Sequence, residues 1–314
     1  MTARVTGDGR RPAVTPPGGP LIPPTIKLGL LFACFLWAIS FIATKVALAS
    51  IPPLTVVASR LTVSAICFAL YFAIRRSWPR ISDRATLVHL LVLSLWGTGL
   101  HYGTQTMGLQ YTTASNGSIY AATCPIFIVI GSRIVSGETV TVRKSCGIAL
   151  ALAGVLTVMG PEALLSFDLT GHLKGDVLVI VSIVLWAVFT VHGKRATETL
   201  GALQLLGTVT IMGAIWMAPI AWWELATRHF FAGSIRGDAV AAVAFLGVTC
   251  SFLATLLYFV ALEHAESQKV GVYLYTIPPM TAAVAALTLR EPIGLGFAGG
   301  AALVLVGVWI TETG

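Results

Sequence analysis

A long stretch of this chain occurs twice, and both copies are strongly apolar. Residues 118–138 recur at 271–291 with equivalent positions 153 residues apart, and residues 36–45 recur at 185–194 with a spacing of 149 residues. An internal duplication in an apolar chain predicts two repeats that pack together and leave a cleft between them. The matched residues of the longer copy are Tyr120 and Tyr273, Thr123 and Thr276, Pro125 and Pro278, and Glu138 and Glu291.

The composition places this duplication in a membrane. Of the 314 residues, 56% are hydrophobic and only 11% are charged, and the mean hydropathy is +0.86. Soluble domains carry roughly 25% charged residues, so most of this surface must face lipid. The five cysteines lie singly within apolar runs, which is typical of packing residues rather than of a disulfide or metal framework.

The sequence contains neither a catalytic nor a cofactor motif. A GxSxG elbow, a P-loop, a dinucleotide fingerprint and HExxH are all absent, and the six histidines are dispersed. The net charge of +7 arises from basic residues between apolar runs, without a basic face interleaved with aromatics. We therefore expect no enzymatic activity, no metal or cofactor, and no nucleic-acid partner.

Ten segments are long and apolar enough to be spanning helices of about 20 residues. They predict an all-α integral membrane protein of ten transmembrane helices in two five-helix repeats, covering residues 27–160 and 175–311. Residues 1–26, rich in Pro, Gly, Thr and Arg, are predicted to be a disordered cytoplasmic tail. The segments are 27–48, 54–74, 85–107, 111–133, 143–160, 175–194, 200–224, 238–262, 268–289 and 293–311.

Lysine and arginine predict how these helices are oriented. With a cytoplasmic N-terminus, fourteen basic residues fall in cytoplasmic segments and four on the opposite side. Both termini are then cytoplasmic, in a cell inner (plasma) membrane. Because five helices are an odd number, the second repeat is inverted, so Glu138 lies inside and Glu291 outside.

Polar and aromatic side chains follow single faces of several predicted helices. They are interpreted either as interhelical hydrogen bonds or as the lining of a water-accessible pocket. The prolines of the duplicated segment lie in the middle of predicted helices 4 and 9, where each is either a packing kink or a hinge of a gate. The pocket candidates are Trp37, Ser40, His101, Tyr102, Gln105, Asn116, Tyr120, Trp186, Thr190 and Tyr273, and the hinge candidates are Pro125 and Pro278.

Arg60 and Lys45 are cations within predicted helices 2 and 1. All thirteen acids lie in loops or at helix ends, so neither cation has a predicted acidic partner at its depth. Lys45 is close enough to a helix end to reach the interface. Arg60 retains its proton and is either held by carbonyls and tyrosine hydroxyls or serves as the counter-charge for a carboxylate on a small-molecule substrate.

Glycines recur along predicted helices 5 and 10 at spacings of four and seven residues. Such spacings allow close approach of two backbones, within one chain or between two copies, which leaves a homodimer open. The residues are Gly147, Gly154, Gly296, Gly300 and Gly307.

The order of these motifs resembles the drug/metabolite transporter superfamily and is most similar to its EamA-type branch. Each half opens with LWA and a lysine eight residues after the tryptophan, helix 4 reads LQYT followed by a proline and a glutamate, and helix 2 contains ASRLTVSA. The resemblance implies a secondary transporter that works by alternating access and often exports amino acids or related metabolites. Trp37, Arg60, Tyr120, Pro125, Glu138, Trp186, Pro278 and Glu291 occupy family positions, but the second half has Thr208 to Thr210 in place of Arg60.

Two functions are therefore carried forward. The first is an exporter of a small amino-acid-like metabolite, with its binding pocket between the repeats. The second is a membrane scaffold or assembly partner that transports nothing and needs no wet interior. A channel is disfavoured because the sequence shows no ring of like charges or filter loop.

Overall fold

The computed structural model describes residues 22–81, 83–112, 117, 120–165, 169–228, 233, 235–289 and 295–314, with side chains outside 160–172 and 285–295. Asn116, Glu291 and the first 21 residues of the predicted tail lie outside this part of the chain. The described residues form ten helices and no strand. The helices are α1 Pro24–Leu48, α2 Pro53–Arg75, α3 84–111, α4 Cys124–Val135, α5 Val142–Leu165, α6 Leu169–Leu200, α7 Ala202–Thr227, α8 Gly237–His264, α9 267–289 and α10 Leu295–Glu312.

Local sequence signals account for several helix boundaries. Both α1 and α2 begin with a proline in their first turn, where the missing N–H would have no partner in any case. The N-cap of α3 is Asp83, whose carboxylate accepts a hydrogen bond from the backbone N–H of Thr86 at 2.8 Å. Gly201 separates α6 from α7 with φ +74°, a left-handed conformation that favours glycine.

Six helices of the described chain are long and apolar enough to cross a bilayer, by length and composition. They are 24–48, 53–75, 142–159, 173–200, 202–227 and 237–264. The remaining four are shorter, interrupted or more polar: α4 and α10 are shorter apolar helices, α9 contains a 3₁₀ segment, and α3 contains His101, Tyr102 and Gln105.

Equivalent helices of the two repeats run antiparallel to each other. A Cβ on Gly147 of α5 would lie 2.7 Å from the Gly307 carbonyl oxygen of α10, and a Cβ on Gly154 would lie 2.7 Å from that of Gly300. Gly147 and Gly154 are the sequence equivalents of Gly300 and Gly307, so the two contacts are exchanged by a two-fold rotation. The predicted glycine packing is therefore made within one chain.

The pair α2 and α7 shows the same inverted relationship. Near one end, Thr55 of α2 meets Glu224 of α7, and towards the other end Phe72 of α2 packs on Gly207 of α7. Two cross-repeat pairs also match, because α3 packs on α6 as α8 packs on α1, and α4 packs on α6 as α9 packs on α1. The predicted fold class, an all-α membrane protein built from two inverted five-helix repeats, is confirmed.

Glu224 closes the α2–α7 interface with a carboxylate that is 3% exposed. Its Oε2 accepts hydrogen bonds from the Thr55 backbone N–H at 2.8 Å and from the Thr55 hydroxyl at 2.9 Å. We expect Glu224→Ala to destabilise the fold by about 1–3 kcal/mol, because the half-buried Thr55 loses two hydrogen bonds to a charged acceptor. Thermal unfolding in detergent measures this, with Glu198→Ala as an exposed control; equal melting temperatures would contradict the role of Glu224.

The predicted mid-helix prolines of helices 4 and 9 occupy different positions in the structure. Pro125 and Pro278 both lie in the first turn of a helical segment, the first starting at Cys124 and the second at Ile277. Turn residues 122–123 precede the first, and a 3₁₀ segment over Val272–Thr276 precedes the second. Each helix is thus interrupted where its proline lacks a donor, and the roles of the two prolines as packing kinks or as hinges of a gate stay predictions.

A second interruption is also duplicated. A π-helical segment occupies Leu95–Leu100 in α3 and Leu246–Ala254 in the equivalent helix α8. Such segments add a residue per turn, shift the faces of the helix that follow, and are frequent at functional sites. In α3 the shifted residues immediately after the π segment are His101 and Tyr102.

Candidate functional site

A cavity lies between the two repeats and is lined by α1, α2, α3, α4, α6 and α9. Its volume is about 70 Å³, which is room for a few water molecules. The described lining residues are Trp37, Ser40, Phe41, Arg60, His101, Tyr102, Gln105, Ala121, Cys124, Ile183, Trp186, Leu274 and Ile277.

Two equivalent tryptophans meet in the wall of this cavity. The rings of Trp37 and Trp186 have centroids 5.3 Å apart and planes at 84°, and Tyr258 packs 5.3 Å from the first and 5.7 Å from the second. Because Trp37 and Trp186 are exchanged by the repeat, the pseudo-two-fold axis passes close to this contact. The aromatic wall therefore lies where the two halves join.

Arg60 places a cation in the cavity. Its residue is 2% exposed, its Nε donates to the Ser251 hydroxyl at 2.9 Å, and its guanidinium carbon lies 4.2 Å from the ring centroid of Tyr102. Among the described residues no carboxylate forms an ion pair with Arg60, and none lines the cavity. A buried guanidinium that is fixed on one edge and lacks a counter-ion can bind an anionic group.

Hydrogen-bonding groups on α1 and α3 line the same cavity as the guanidinium. The Nδ1 of His101 lies 2.8 Å from the Ser182 carbonyl oxygen, which only accepts, so this nitrogen carries the proton. The Ser40 hydroxyl donates to the Trp37 carbonyl at 2.7 Å. Gln105 is half-buried, and its amide has no hydrogen bond within the described part of the chain, so both its donors and its acceptor can serve a ligand.

Three of the residues predicted to bind a substrate do not line the cavity. Tyr273 is turned away from it and donates its hydroxyl to Glu312 Oε2 at 2.9 Å. Tyr120 is 5% exposed, and Thr190 is fully buried one turn beyond Trp186. Asn116 lies outside the described residues. Seven of the eleven predicted binding residues line the cavity: Trp37, Ser40, Arg60, His101, Tyr102, Gln105 and Trp186.

The remaining lining is apolar and was not foreseen. Phe41, Ile183 and Leu274 contribute apolar surface, and Cys124, predicted only as a packing residue, also reaches the cavity. An apolar residue in a membrane helix has the same sequence signature whether it faces lipid, core or cavity. The duplicated prolines, Pro125 and Pro278, are the signal in the sequence that marks Cys124 and Ile277 as neighbours of an irregular backbone.

Ion pairs gather at one end of the bundle, here named the lysine-rich end. Lys27 pairs with Glu312 at 2.5 Å, Lys194 pairs with Glu138 at 3.0 Å, and Lys144 pairs with Glu266. These lysines belong to the segments predicted to be cytoplasmic, so the sequence pattern and the packing agree on which helix ends lie together.

Glu138 accepts hydrogen bonds from three donors. Burial alone would raise its pKa, but the charge of Lys194 and the backbone N–H groups of Ser267 and Gln268 outweigh burial and hold the pKa of Glu138 below its ordinary value. The carboxylate is therefore ionised at neutral pH. The stability it contributes is lost only in acid, as the pH falls through that lowered pKa.

Comparison with known proteins identifies the fold and the family. The chain is 32% identical over 282 residues to an uncharacterized transporter of Archaeoglobus fulgidus, covering 90% of this chain and 95% of the relative. It is 25% identical to the uncharacterized transporter YvbV of Bacillus subtilis, covering 90% of each chain. A solved crystal structure superposes with a TM-score of 0.74 at 18% identity, covering 91% of this chain and 98% of the other.

A family model matches both repeats. The model described as the EamA-like transporter family matches residues 25–160 and again residues 173–313. The resemblance to the EamA branch of the drug/metabolite transporters is thus confirmed across nearly the whole chain. The chain belongs to the EamA-like transporter family.

Proposed function

We propose that this transporter moves small metabolites bearing a carboxylate, amino acids or related compounds among them, by alternating access. The observation that carries the proposal is the guanidinium of Arg60, which is buried in the cavity without a carboxylate partner among the described residues. A buried charge is costly unless it is paired, so an anionic cargo is favoured by the counter-charge it finds.

The rest of the cavity supports the same cargo class. Trp37, Trp186 and Tyr102 offer aromatic surface for the remainder of a metabolite, and Gln105 and Ser40 offer hydrogen bonds. If the cargo carries an ammonium group, this group would bind to the aromatic faces through cation–π contacts rather than to an acidic side chain. Among the described lining residues, Arg60 of α2 is the one that can pair with a carboxylate, and α7, the repeat equivalent of α2, contributes none. The cargo is therefore held in one preferred orientation.

The proposed location is the inner (plasma) membrane, with both termini and the lysine-rich end in the cytoplasm. The Lys and Arg asymmetry of the sequence supports this orientation. We further propose export as the direction, as the family resemblance implies.

Transport is tested with purified protein in sealed vesicles. Vesicles preloaded with labelled amino acids should release at least one faster than protein-free vesicles, and cells that overproduce the protein should tolerate toxic analogues of that compound. Release at the protein-free rate for every carboxylate-bearing compound tried would contradict the proposal and favour the scaffold function.

Water access to the cavity provides a separate prediction. In a variant without the five native cysteines, a cysteine at Gln105 is expected to react with a water-soluble, membrane-impermeant maleimide, because the side chain lines the cavity. A cysteine at Leu305, which is 60% exposed on the outer surface of α10 and faces lipid, is the matched control and should stay unreactive. Equal protection of both positions would indicate a dry interior.

A further inference from the structure

The loop after α4 delivers one carboxylate to the ends of two helices of the other repeat. Glu138 Oε1 accepts from the Lys194 ammonium of α6 at 3.0 Å and from the Ser267 backbone N–H of α9 at 2.8 Å. Its Oε2 accepts from the Gln268 backbone N–H at 3.2 Å. Glu138, Lys194, Ser267 and Gln268 are named the Glu138 clamp.

The backbone before Glu138 is shaped to place it there. Gly137 has φ +67°, a left-handed conformation, and the N–H of Glu138 turns back to the carbonyl of Ser132 at 3.2 Å. The Gln268 side chain adds a second tie, because its amide donates to the Ser132 hydroxyl at 3.2 Å. The end of α4 is thus joined to the start of α9 by backbone and side-chain bonds.

The clamp is buried and charged. Glu138 is 9% exposed, and Ser267 and Gln268 are 0% and 1% exposed. Hydrogen bonds to a charged group in such a setting are among the stronger ones in proteins. The negative charge also lies at the N-terminus of α9, where the helix dipole favours an anion. These bonds join the two repeats at the lysine-rich end.

At the opposite end, the repeat-equivalent lysine makes no such contact with the described residues, which do not include Glu291. Lys45 is the sequence equivalent of Lys194 at a spacing of 149 residues, but its ammonium forms no ion pair or hydrogen bond with any described residue. The cavity lies towards this same end, because Arg60 is seven residues from the start of α2 and Gln105 approaches the end of α3, where Gly108 meets Gly175 of α6. Among the described residues, the ammonium of Lys194 is thus paired and that of its repeat equivalent Lys45 is not.

We infer that the Glu138 clamp is the latch that keeps the cavity closed at the lysine-rich end, and that the three contacts of Glu138 must break for cargo to pass there. The inference rests on the proposed function, since it assumes that the cavity opens to each side in turn. Opening separates the C-terminal end of α4 from the N-terminal end of α9. The backbone is irregular just before Pro125, at the start of α4, and just before Pro278, within α9. The interruptions let those ends move without unwinding a continuous helix.

The latch is tested by cavity access from the lysine-rich side. In the cysteine-free background, Ala121→Cys places a small thiol in the cavity wall. Inside-out and right-side-out vesicles expose opposite ends to a membrane-impermeant maleimide. Without further change, we expect labelling from the end opposite to the latch and slow labelling from the lysine-rich end.

Breaking the clamp should reverse this preference. Glu138→Gln and, independently, Lys194→Met are expected to raise labelling from the lysine-rich end about ten-fold, because each removes charge-assisted bonds that exist only in the closed state. Lys45→Met is the matched control, the same substitution at the repeat-equivalent lysine, and should not raise it. Size-exclusion profiles check that each variant is folded, and two independent clamp variants allow for one that is not.

The outcomes separate the latch from the proposed function. Unchanged labelling in both folded clamp variants would overturn the latch, whatever the cargo. Raised labelling together with failure to transport any carboxylate would support the latch and overturn the cargo assignment alone. Absence of labelling from either end in every variant would contradict the wet cavity and with it the latch.

Discussion

Arg60→Gln is expected to reduce transport of a carboxylate-bearing cargo by at least about 30-fold, because truncating one member of a buried charge pair costs roughly 2–5 kcal/mol. Arg60→Lys should recover only part of the loss. A lysine cannot reproduce both the bond to Ser251 and the planar stack on Tyr102 while it holds a carboxylate. Initial rates in vesicles measure the effect, with Arg84→Gln as an exposed, unbonded control.

The same substitution separates a binding role from a structural one. If Arg60 is poised for cargo, removing a buried and uncompensated charge should leave the melting temperature in detergent unchanged or raise it. If the arginine instead stabilises the fold through Ser251, the melting temperature should fall along with activity. Full transport by a folded Arg60→Gln protein would refute the role given to this residue.

Gly300→Leu is expected to abolish folding. A Cβ at this position would lie 2.6 Å from the backbone nitrogen of Val158 and 2.7 Å from the carbonyl oxygen of Gly154, and backbone atoms of a packed helix cannot move aside as a flexible side chain can. The α5–α10 contact must then open along its length, at a cost beyond the roughly 1–3 kcal/mol typical of overpacked cores.

Gly299→Leu is the matched control for this prediction. Apart from the backbone of its own helix, no atom lies within 4 Å of a Cβ at Gly299, one residue away. Fluorescence-detected size exclusion of both variants, tagged and expressed alike, should show a folded peak for Gly299→Leu and none for Gly300→Leu. Comparable folded peaks would show that the glycine contact is not needed for assembly of the two repeats.

The architecture could be predicted from the sequence because the signals for it are redundant. Duplicated motifs, apolar length and basic asymmetry each indicate the same arrangement, and the spacing of Gly147, Gly154, Gly300 and Gly307 indicates which helices approach closely. Lipid leaves few alternatives, since a spanning backbone must satisfy its own hydrogen bonds. The same reasoning found Trp37, Arg60 and Trp186 in the cavity, because polar and aromatic side chains are costly or unusual at that depth.

The faces of predicted helices 4 and 9 that line the cavity could not be predicted in this way. A regular period of 3.6 residues placed Tyr120 and Tyr273 in the pocket, but the turn at 122–123 and the 3₁₀ segment over Val272–Thr276 change the direction of the side chains around them. Tyr273 also has a partner, Glu312, that lies 39 residues further along the chain and is brought close only by the packing of α10.

The burial of acidic side chains also could not be predicted from the sequence. The sequence placed all the acids in loops or at helix ends without indicating which are buried, and in the structure Glu138, Asp176 and Glu224 are each 9% exposed or less. Their partners come from other helices: Glu138 meets the start of α9, Asp176 accepts from the Thr112 hydroxyl at 2.6 Å, and Glu224 meets Thr55. The contacts of the Glu138 clamp therefore follow from the packing of the helices and could not be predicted from the sequence.

Recognition of a carboxylate by Arg60 is tested most directly with three compounds of nearly the same shape. They are an amino acid that the protein transports, the same compound without its amino group, and the same compound without its carboxylate, each offered to vesicles containing purified protein. A buried guanidinium without an acidic neighbour predicts transport of the first two and exclusion of the amine. Transport of the amine at the rate of the amino acid would contradict this arrangement of charge.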